Sequence, residues 1–230
     1  MFQSTSVNKD ILSFSKKVHS CKKCKRLVSF REKVSREKRK SYQDQKYWNK
    51  PVAGFGDINA KVVMIGLAPA AHGATRTGRV FTGDKSSDFL FNCLHKSGFS
   101  NQPTSNHIKD GLKLKNLYIT LALKCVPPQD KPTAVELKNC SNFFEQELNL
   151  LKSKKTIVAL GKIAFDACIR FFKDNHNITG SFKFGHGAKY KINGINLIGC
   201  YHPSPRNVNT GRIDIKKMTA LFKSIQKLSK

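Results

Sequence analysis

Acidic residues are scarce in this chain. Its 230 residues include 15 Asp and Glu against 42 Lys and Arg, which gives a formal net charge of +27 at pH 7. No apolar run is long enough to span a bilayer and no clear basic amphipathic anchor is present, so we expect no membrane partner. A charge so far beyond what solubility requires indicates a polyanionic partner, and nucleic acid is the partner we expect, bound by a monomer.

No secretory leader opens the sequence, because residues 1–20 are polar with scattered apolar side chains, and we expect a cytoplasmic, nucleoid-associated protein. In that reducing compartment seven cysteines do not form a disulfide framework, so their spacing bears on metal binding. Cys21 and Cys24 form a local pair, and Cys125 and Cys140 follow much later. Four thiolates suit structural zinc or a [4Fe–4S] cluster, although the later pair lacks the close spacing of a zinc ribbon. The remaining cysteines fall in apolar patterns that predict buried small side chains: Cys93, Cys168 and Cys200.

Apolar runs alternate with helical patterns along most of the chain, which predicts an α/β fold with a parallel sheet covered on both faces. We predict strands at residues 61–65, 117–121, 156–160 and 195–200, and helices at residues 10–25, 86–97, 133–152, 161–172 and 214–227. A capping box from Thr133 to Glu136 opens the third of these helices. Without repeats or a low-complexity linker, residues 1–230 are expected to form one domain, with residues 1–50 as a basic, cysteine-containing extension.

The segment at residues 66–84, GLAPAAHGATRTGRVFTGD, follows the first predicted strand directly. A β-branched run followed by small residues predicts a buried strand and a tight loop at its carboxyl end, where α/β proteins bind ligands. The spacing matches neither G-x-G-x-x-G nor G-x-x-x-x-G-K-S/T, which argues against dinucleotide and P-loop chemistry. An ordinary connection from strand to helix is the alternative interpretation.

The segment at residues 31–40 is dense in charge and precedes Tyr42, Tyr47 and Trp48. We interpret it as a solvated helix face, with a phosphate-contacting face as the alternative.

Three segments together resemble the uracil-DNA glycosylase superfamily, in particular its iron–sulfur family 5. They are residues 66–84, KCVPP at residues 124–128, and HPSPRNVNTGR at residues 202–212. With the four cysteines, the resemblance extends from residue 21 to residue 212. The related family 4 carries Gly-Glu-Ala-Pro-Gly in the first motif, and Leu67 stands at the Glu position here, which favours family 5.

The resemblance implies a three-layer α/β/α sandwich with a central four-stranded parallel sheet. It also implies hydrolysis of the N-glycosidic bond of uracil, and of other deaminated or modified bases such as hypoxanthine, which leaves an abasic site in DNA. The target base must be flipped out of the helix into the pocket. The implied cofactor is a [4Fe–4S] cluster, with structural zinc as the alternative, and its implied ligands are Cys21, Cys24, Cys125 and Cys140.

Breaking the glycosidic bond places positive charge on the sugar and negative charge on the base, so donors aimed at the base and a carboxylate near the sugar are needed. We assign the donor role to His202 and the carboxylate role to Asp84, with Asp88 as its rival and helix capping as its alternative role. The expected substrate-binding residues are Gly66, Leu67, Ala68, Pro69, Ala70, His72, Phe81 and Asp130. The expected DNA-binding residues are Arg76, Arg79, Ser204, Arg206, Asn207, Thr210 and Arg212.

Two positions depart from related sequences. Asp130 stands where similar proteins often carry Asn, and Leu121 stands where family 4 carries an Asn that reads the base edge. Without that amide we expect relaxed base specificity. The competing hypothesis is a non-catalytic nucleic-acid-binding module with iron–sulfur or zinc. A covalent variant, in which a histidine traps the sugar, is not favoured because the long Arg-rich insertion of that subgroup is not found beside His72.

Overall fold

The structure, a computed structural model, describes residues 3–176 and 178–229, with side chains from residue 9 onward. The helices are α1 Gln3–His19, α2 Lys25–Glu37, α3 Ala74–Thr77, α4 Lys85–Lys96, α5 Ala134–Leu150, α6 Lys162–His176, α7 Pro205–Asn209 and α8 Ile215–Leu228. The strands are β1 Phe55–Gly56, β2 Val62–Gly66, β3 Leu117–Leu121, β4 Thr156–Leu160, β5 Lys189–Ile192 and β6 Ile195–Cys200. Within 3–176 and 178–229, no helix has the length and apolar character needed to cross a membrane.

The strands form one mixed sheet in the order β1-β3-β2-β4-β6-β5. The four central strands are parallel, and β1 and β5 pair antiparallel at the two edges. The expected four-stranded parallel sheet is therefore the centre of a six-stranded sheet. The two edge strands were not predicted, because neither forms a continuous apolar run. Strand β1 is only two residues long, and β5 is mostly exposed.

Alternate residues of each central strand face two separate hydrophobic cores, as the two-residue period of a strand requires. On β2, Val62 and Met64 pack with helices α4 and α8, whereas Val63 and Ile65 pack with helices α5 and α6. All four of these side chains are fully buried. This arrangement confirms the α/β class and the three-layer α/β/α sandwich.

Helix ends match the capping signals in the sequence. The Thr133 hydroxyl accepts a hydrogen bond from the Glu136 amide, and the Glu136 carboxylate accepts one from the Thr133 amide, so the predicted capping box is confirmed. The first predicted helix is misplaced, because α1 ends at His19 and leaves Cys21 in an irregular turn between α1 and α2.

Candidate active site

The loops that follow the parallel strands meet at one edge of the sheet. The loop after β2 runs beside the loop after β3, because the Ala122 amide donates to the Gly66 carbonyl at 2.9 Å and the Leu123 amide donates to the Leu67 carbonyl at 2.8 Å. The first loop carries the expected base-binding residues and the second leads to Cys125. Two segments far apart in sequence are therefore held together by backbone hydrogen bonds.

Phe81 folds back over the start of its own loop. A methyl group at Gly66 would lie 2.9 Å from Leu121 Cδ2 and 3.0 Å from the Phe81 ring, so glycine gives this close approach the room it needs. Phe81 has a φ of 47°, in the left-handed region that non-glycine residues rarely adopt. Its ring centroid lies 5.9 Å from that of His202, with 37° between the planes. The structure thus brings Gly66, Phe81, Leu121 and His202 to one place.

His202 follows β6 and packs against the loop after β4, since a methyl group at Gly161 would lie 3.5 Å from His202 Cβ. Its carbonyl accepts a hydrogen bond from the Asn207 side-chain amide at 2.9 Å, which holds the turn into α7. Burial lowers the pKa of His202 to about 4. The imidazole is therefore neutral near pH 7 and offers one N–H donor.

Asp84 is both the N-cap of α4 and a wall of an open cleft. Its Oδ1 accepts a hydrogen bond from the Ser87 amide at 2.9 Å, and a methyl group at Gly73 would collide with its Oδ2. Burial raises the pKa of Asp84 above its ordinary value. Its rival Asp88 is exposed and lies 3.8 Å from Lys85. The cleft is lined by Arg39, Tyr42, His72, Arg76, Gly83, Asp84, Lys85, Asp88 and Asn106.

Arg76 links two parts of the loop at residues 66–84 by hydrogen bonds. It donates to the His72 carbonyl at 2.7 Å and to the Gly83 carbonyl at 2.7 Å, and its guanidinium lies 3.9 Å from the centre of the Tyr42 ring. The His72 Nδ1 is 2.9 Å from the Tyr47 hydroxyl, and burial lowers the pKa of His72. Arg76 and His72 line the cleft, but both are also fastened to the loop and to the N-terminal extension.

Arg79 does not have the geometry expected of a phosphate contact. It is 6% exposed and pairs with Asp110 at 2.6 Å and 2.9 Å. It also donates to the hydroxyls of Thr82 and Ser105. Burial by itself would raise the pKa of Asp110, but hydrogen bonds from Arg79 and from the backbone lower it well below its usual range. Arg79 is consequently a structural residue that anchors the loop around Asp110.

The residues after His202 divide into two groups. Ser204 caps α7, and the Thr210 hydroxyl donates to the Arg206 carbonyl at 2.8 Å, so both side chains already have partners within the loop. The side chains of Arg206 and Arg212 are exposed and available to a phosphate. Asp130 is also exposed, at the end of the short 3-10 helix Pro128–Asp130. In the short loop after β2, Pro69 is buried, Leu67 and Ala68 are partly buried and Ala70 is exposed.

All four expected cysteine ligands line one cavity. Cys125 follows β3 and Cys140 lies on α5. Cys21 and Cys24 both precede α2, which begins at Lys25. Burial raises the pKa of Cys125 to about 12 and that of Cys140 to about 11. Within the described residues, no group of three or more His, Cys, Asp and Glu side chains is arranged to hold a single metal ion. The expectation for the other three cysteines is confirmed, because Cys93, Cys168 and Cys200 are buried elsewhere.

Hydrogen-bond donors and apolar contacts surround these sulfur atoms. The Lys124 amide lies 3.3 Å from Cys140 Sγ, and the Asn139 side-chain amide lies 3.6 Å from Cys24 Sγ. Ala68 packs against the same apolar cluster as Cys24, Cys125 and Cys140. The cysteine cavity therefore adjoins the short loop that follows β2.

Sequence reasoning missed a buried ion pair beneath this region. The Lys124 ammonium donates to Glu147 Oε2 at 2.5 Å, to Thr120 Oγ1 at 2.7 Å and to the Leu121 carbonyl at 2.8 Å. Glu147 Oε1 accepts from the Tyr118 hydroxyl at 3.0 Å. Glu147 lies between the apolar residues of α5, and a carboxylate on an apolar helix face was the available signal. The pair fixes the end of β3 between the pocket and the cysteine cavity.

Comparisons with known proteins identify the family to which the chain belongs. The chain is 41% identical over 210 residues to the type-5 uracil-DNA glycosylase of Pyrobaculum aerophilum, covering 91% of this chain and 89% of that protein. It is 43% identical over 205 residues to the type-5 enzyme of Thermus thermophilus, covering 87% and 90%. A type-4 uracil-DNA glycosylase of Thermotoga maritima is 27% identical over 154 residues, covering 66% and 69%. The model of the uracil DNA glycosylase superfamily matches residues 53–227, and the chain therefore belongs to that superfamily.

Proposed function

We propose that this protein is a DNA-repair glycosylase that hydrolyses the N-glycosidic bond of uracil in DNA and leaves an abasic site. The observation that carries the proposal is the convergence of Phe81, Gly66 and His202 at the strand ends, in a chain about two-fifths identical to type-5 uracil-DNA glycosylases. Asp84 follows Phe81 in the same loop. A module that only binds nucleic acid would not require these groups, so that alternative is not favoured.

DNA binding is supported by the charge of the chain and by its exposed arginines. The net charge of +27 supplies non-specific attraction to phosphates, and Arg206 and Arg212 lie on the surface next to the His202 turn. A base stacked inside a duplex is out of reach of Phe81 and His202, so the target nucleotide must be flipped out of the helix. We propose that a monomer performs these steps.

Base recognition follows from the aromatic ring and the neutral histidine. The flipped base would stack on Phe81, and stacking of this kind contributes roughly 1–3 kcal/mol per base. The neutral His202 would donate its N–H to a base carbonyl oxygen, where negative charge develops as the bond breaks. Leu121 offers no amide to read the base edge, which suits uracil together with other deaminated bases such as hypoxanthine.

Asp84 completes the proposed chemistry. Asp84 lines the cleft with His72 and Arg76, and we assign to its carboxylate the orientation of a water molecule and the stabilisation of positive charge on the sugar. Because one oxygen caps α4, the carboxyl group is held in a fixed direction. Asp88 is exposed and lies next to Lys85, so it lacks this fixed position. We therefore assign the water-handling role to Asp84.

We propose a [4Fe–4S] cluster held by the four cysteines as the cofactor, with structural zinc as the alternative. The four cysteines line one cavity, and amide groups lie 3.3 Å from Cys140 Sγ and 3.6 Å from Cys24 Sγ. When bound, such a group supplies structural cross-linking between the N-terminal extension, the loop after β3 and helix α5. The as-purified protein should contain iron and sulfide and absorb broadly near ~400 nm. If the protein is colourless and contains tightly bound zinc, the cofactor is structural zinc and not a [4Fe–4S] cluster.

The activity is tested with a duplex oligonucleotide that contains one uracil and an identical duplex that contains thymine. The purified metal-loaded protein should release free uracil, detected by mass spectrometry, and should leave an alkali-labile site at that position only. Duplexes with hypoxanthine or hydroxymethyluracil measure the breadth of specificity. Salt-sensitive binding of every duplex without release of any base would instead establish the non-catalytic module.

A further inference from the structure

Arg31 on helix α2 is a buried cation that lacks an ordinary partner. It is 5% exposed, although the charged pattern of residues 31–40 predicts a solvated face, and that prediction is wrong at this position. One guanidinium nitrogen, Nη1, lies 3.6 Å from Cys125 Sγ. The Nε atom is buried and has no hydrogen-bond partner among the described residues.

The other buried cations in the described part of the chain have carboxylate partners. Arg79 pairs with Asp110 at 2.6 Å, and Lys124 pairs with Glu147 at 2.5 Å. Across 3–176 and 178–229, no Asp or Glu pairs with Arg31. A buried charge without a counter-charge is strongly unfavourable, so an anionic partner is expected beside Arg31, on the side of Cys125.

We propose that Arg31 is the charge-compensating residue of the four-cysteine site, where its guanidinium binds the negatively charged metal–thiolate group. The inference rests on the cysteine site proposed above. Four thiolates carry about four negative charges, and a zinc ion or an oxidised [4Fe–4S] core returns about two positive ones, so either group remains anionic. Guanidinium suits this role because it stays protonated when buried and offers several N–H donors.

The position of Arg31 indicates how it acts on the group. It extends from α2 to the thiol that follows β3, and so connects the helix that begins after Cys24 with Cys125. It is a positioning residue, because it would act on the bound group through Cys125, a proposed ligand. A positive charge here stabilises the more negative state of a redox-active group, so its removal should lower the reduction potential.

The test compares the metal-loaded wild-type protein with Arg31→Met, Arg31→Lys and the matched control Arg36→Met. Arg36 is an exposed arginine on the same helix, so the control removes an equal charge away from the cavity. Metal release to an excess of chelator is followed by absorbance and metal analysis, and the midpoint potential is measured by redox titration. Arg31→Met should release metal roughly tenfold faster than wild type and show a lower midpoint potential. Arg31→Lys should retain a midpoint near that of wild type, and Arg36→Met should match wild type in both measurements.

Equal release rates and equal potentials for Arg31→Met and Arg36→Met would overturn the proposal. If Arg31→Met does not fold, Arg31→Gln provides the neutral comparison. Failure of both neutral variants to incorporate metal while Arg31→Lys incorporates it supports the proposal, and failure of all three contradicts it. If the wild-type metal is zinc, release kinetics alone decide the question. None of these measurements uses base release. A failure of this proposal can therefore be distinguished from a failure of the proposed glycosylase activity.

Discussion

The ring centroid of Phe81 lies 5.9 Å from that of His202, at the edge of the sheet where the loops after β2 and β6 meet. This relationship joins a surface for stacking to a neutral hydrogen-bond donor. Gly66 favours this arrangement, because a methyl group there would lie 3.0 Å from the Phe81 ring and press against it. Both groups stand on loops that follow parallel strands of the sheet.

The protonation of His202 should be visible in the pH dependence of stability. Its pKa is about 4 when folded and near 6.5 otherwise, so the unfolded state binds more protons within that interval. The free energy of unfolding should therefore fall as the pH is lowered, by about 2 kcal/mol between pH 7.5 and pH 5 from this residue. Urea denaturation of wild type and His202→Asn at both pH values measures the difference. An equal fall in both proteins would show that His202 is not held neutral by the fold.

The two arginines Arg79 and Arg206 should behave in opposite ways. Arg79→Met breaks a buried pair with Asp110 and should destabilise the protein by about 3–5 kcal/mol, measured by chemical denaturation. Arg206→Met should change stability by less than about 0.5 kcal/mol, since the side chain is exposed.

The effect of Arg206→Met should instead appear in DNA binding. Arg206→Met should reduce the salt dependence of duplex binding by about one counterion. An Arg79→Met protein that is as stable as wild type, or an unchanged salt dependence in Arg206→Met, would contradict the separate roles given to these residues.

Cys140→Ser should lose the metal group, whereas Cys200→Ser should retain it. Both cysteines are buried, but Cys140 lines the cavity on α5 and Cys200 ends β6 inside a hydrophobic core. Iron, sulfide and zinc analysis of the purified variants provides the measurement. Full metal content in Cys140→Ser would remove that residue from the ligand set.

Much of the fold could be predicted from continuous apolar runs. The predicted strands at 117–121, 156–160 and 195–200 coincide with β3, β4 and β6, because each is buried on both faces. Strand β5 carries no such signal, since it alternates at a sheet edge. The place of the loop after β2 followed from the rule that ligands bind at the carboxyl ends of strands, whereas the role of His202 was implied by the resemblance to the uracil-DNA glycosylase superfamily.

The fate of individual charges could not be predicted in the same way. Arg79 pairs with Asp110 and Lys124 pairs with Glu147, and in both pairs the partners are far apart in the sequence. The periodicity of apolar residues does not predict such pairs. Arg31 belongs to a run that looks uniformly solvated, yet it lies against Cys125. Charged side chains are placed by tertiary partners, so sequence patterns that locate strands do not locate ion pairs.

Single-turnover release of uracil by wild type, Asp84→Asn and Asp88→Asn shows which carboxylate handles the water. Asn retains the capping hydrogen bond of α4, so Asp84→Asn should fold with nearly unchanged stability. Its rate of base release should fall by about 10²-fold or more, because the carboxylate proposed to orient the water and to stabilise the sugar is gone. Asp88→Asn should remain within a few-fold of wild type. Unimpaired release by a folded Asp84→Asn protein would contradict the account.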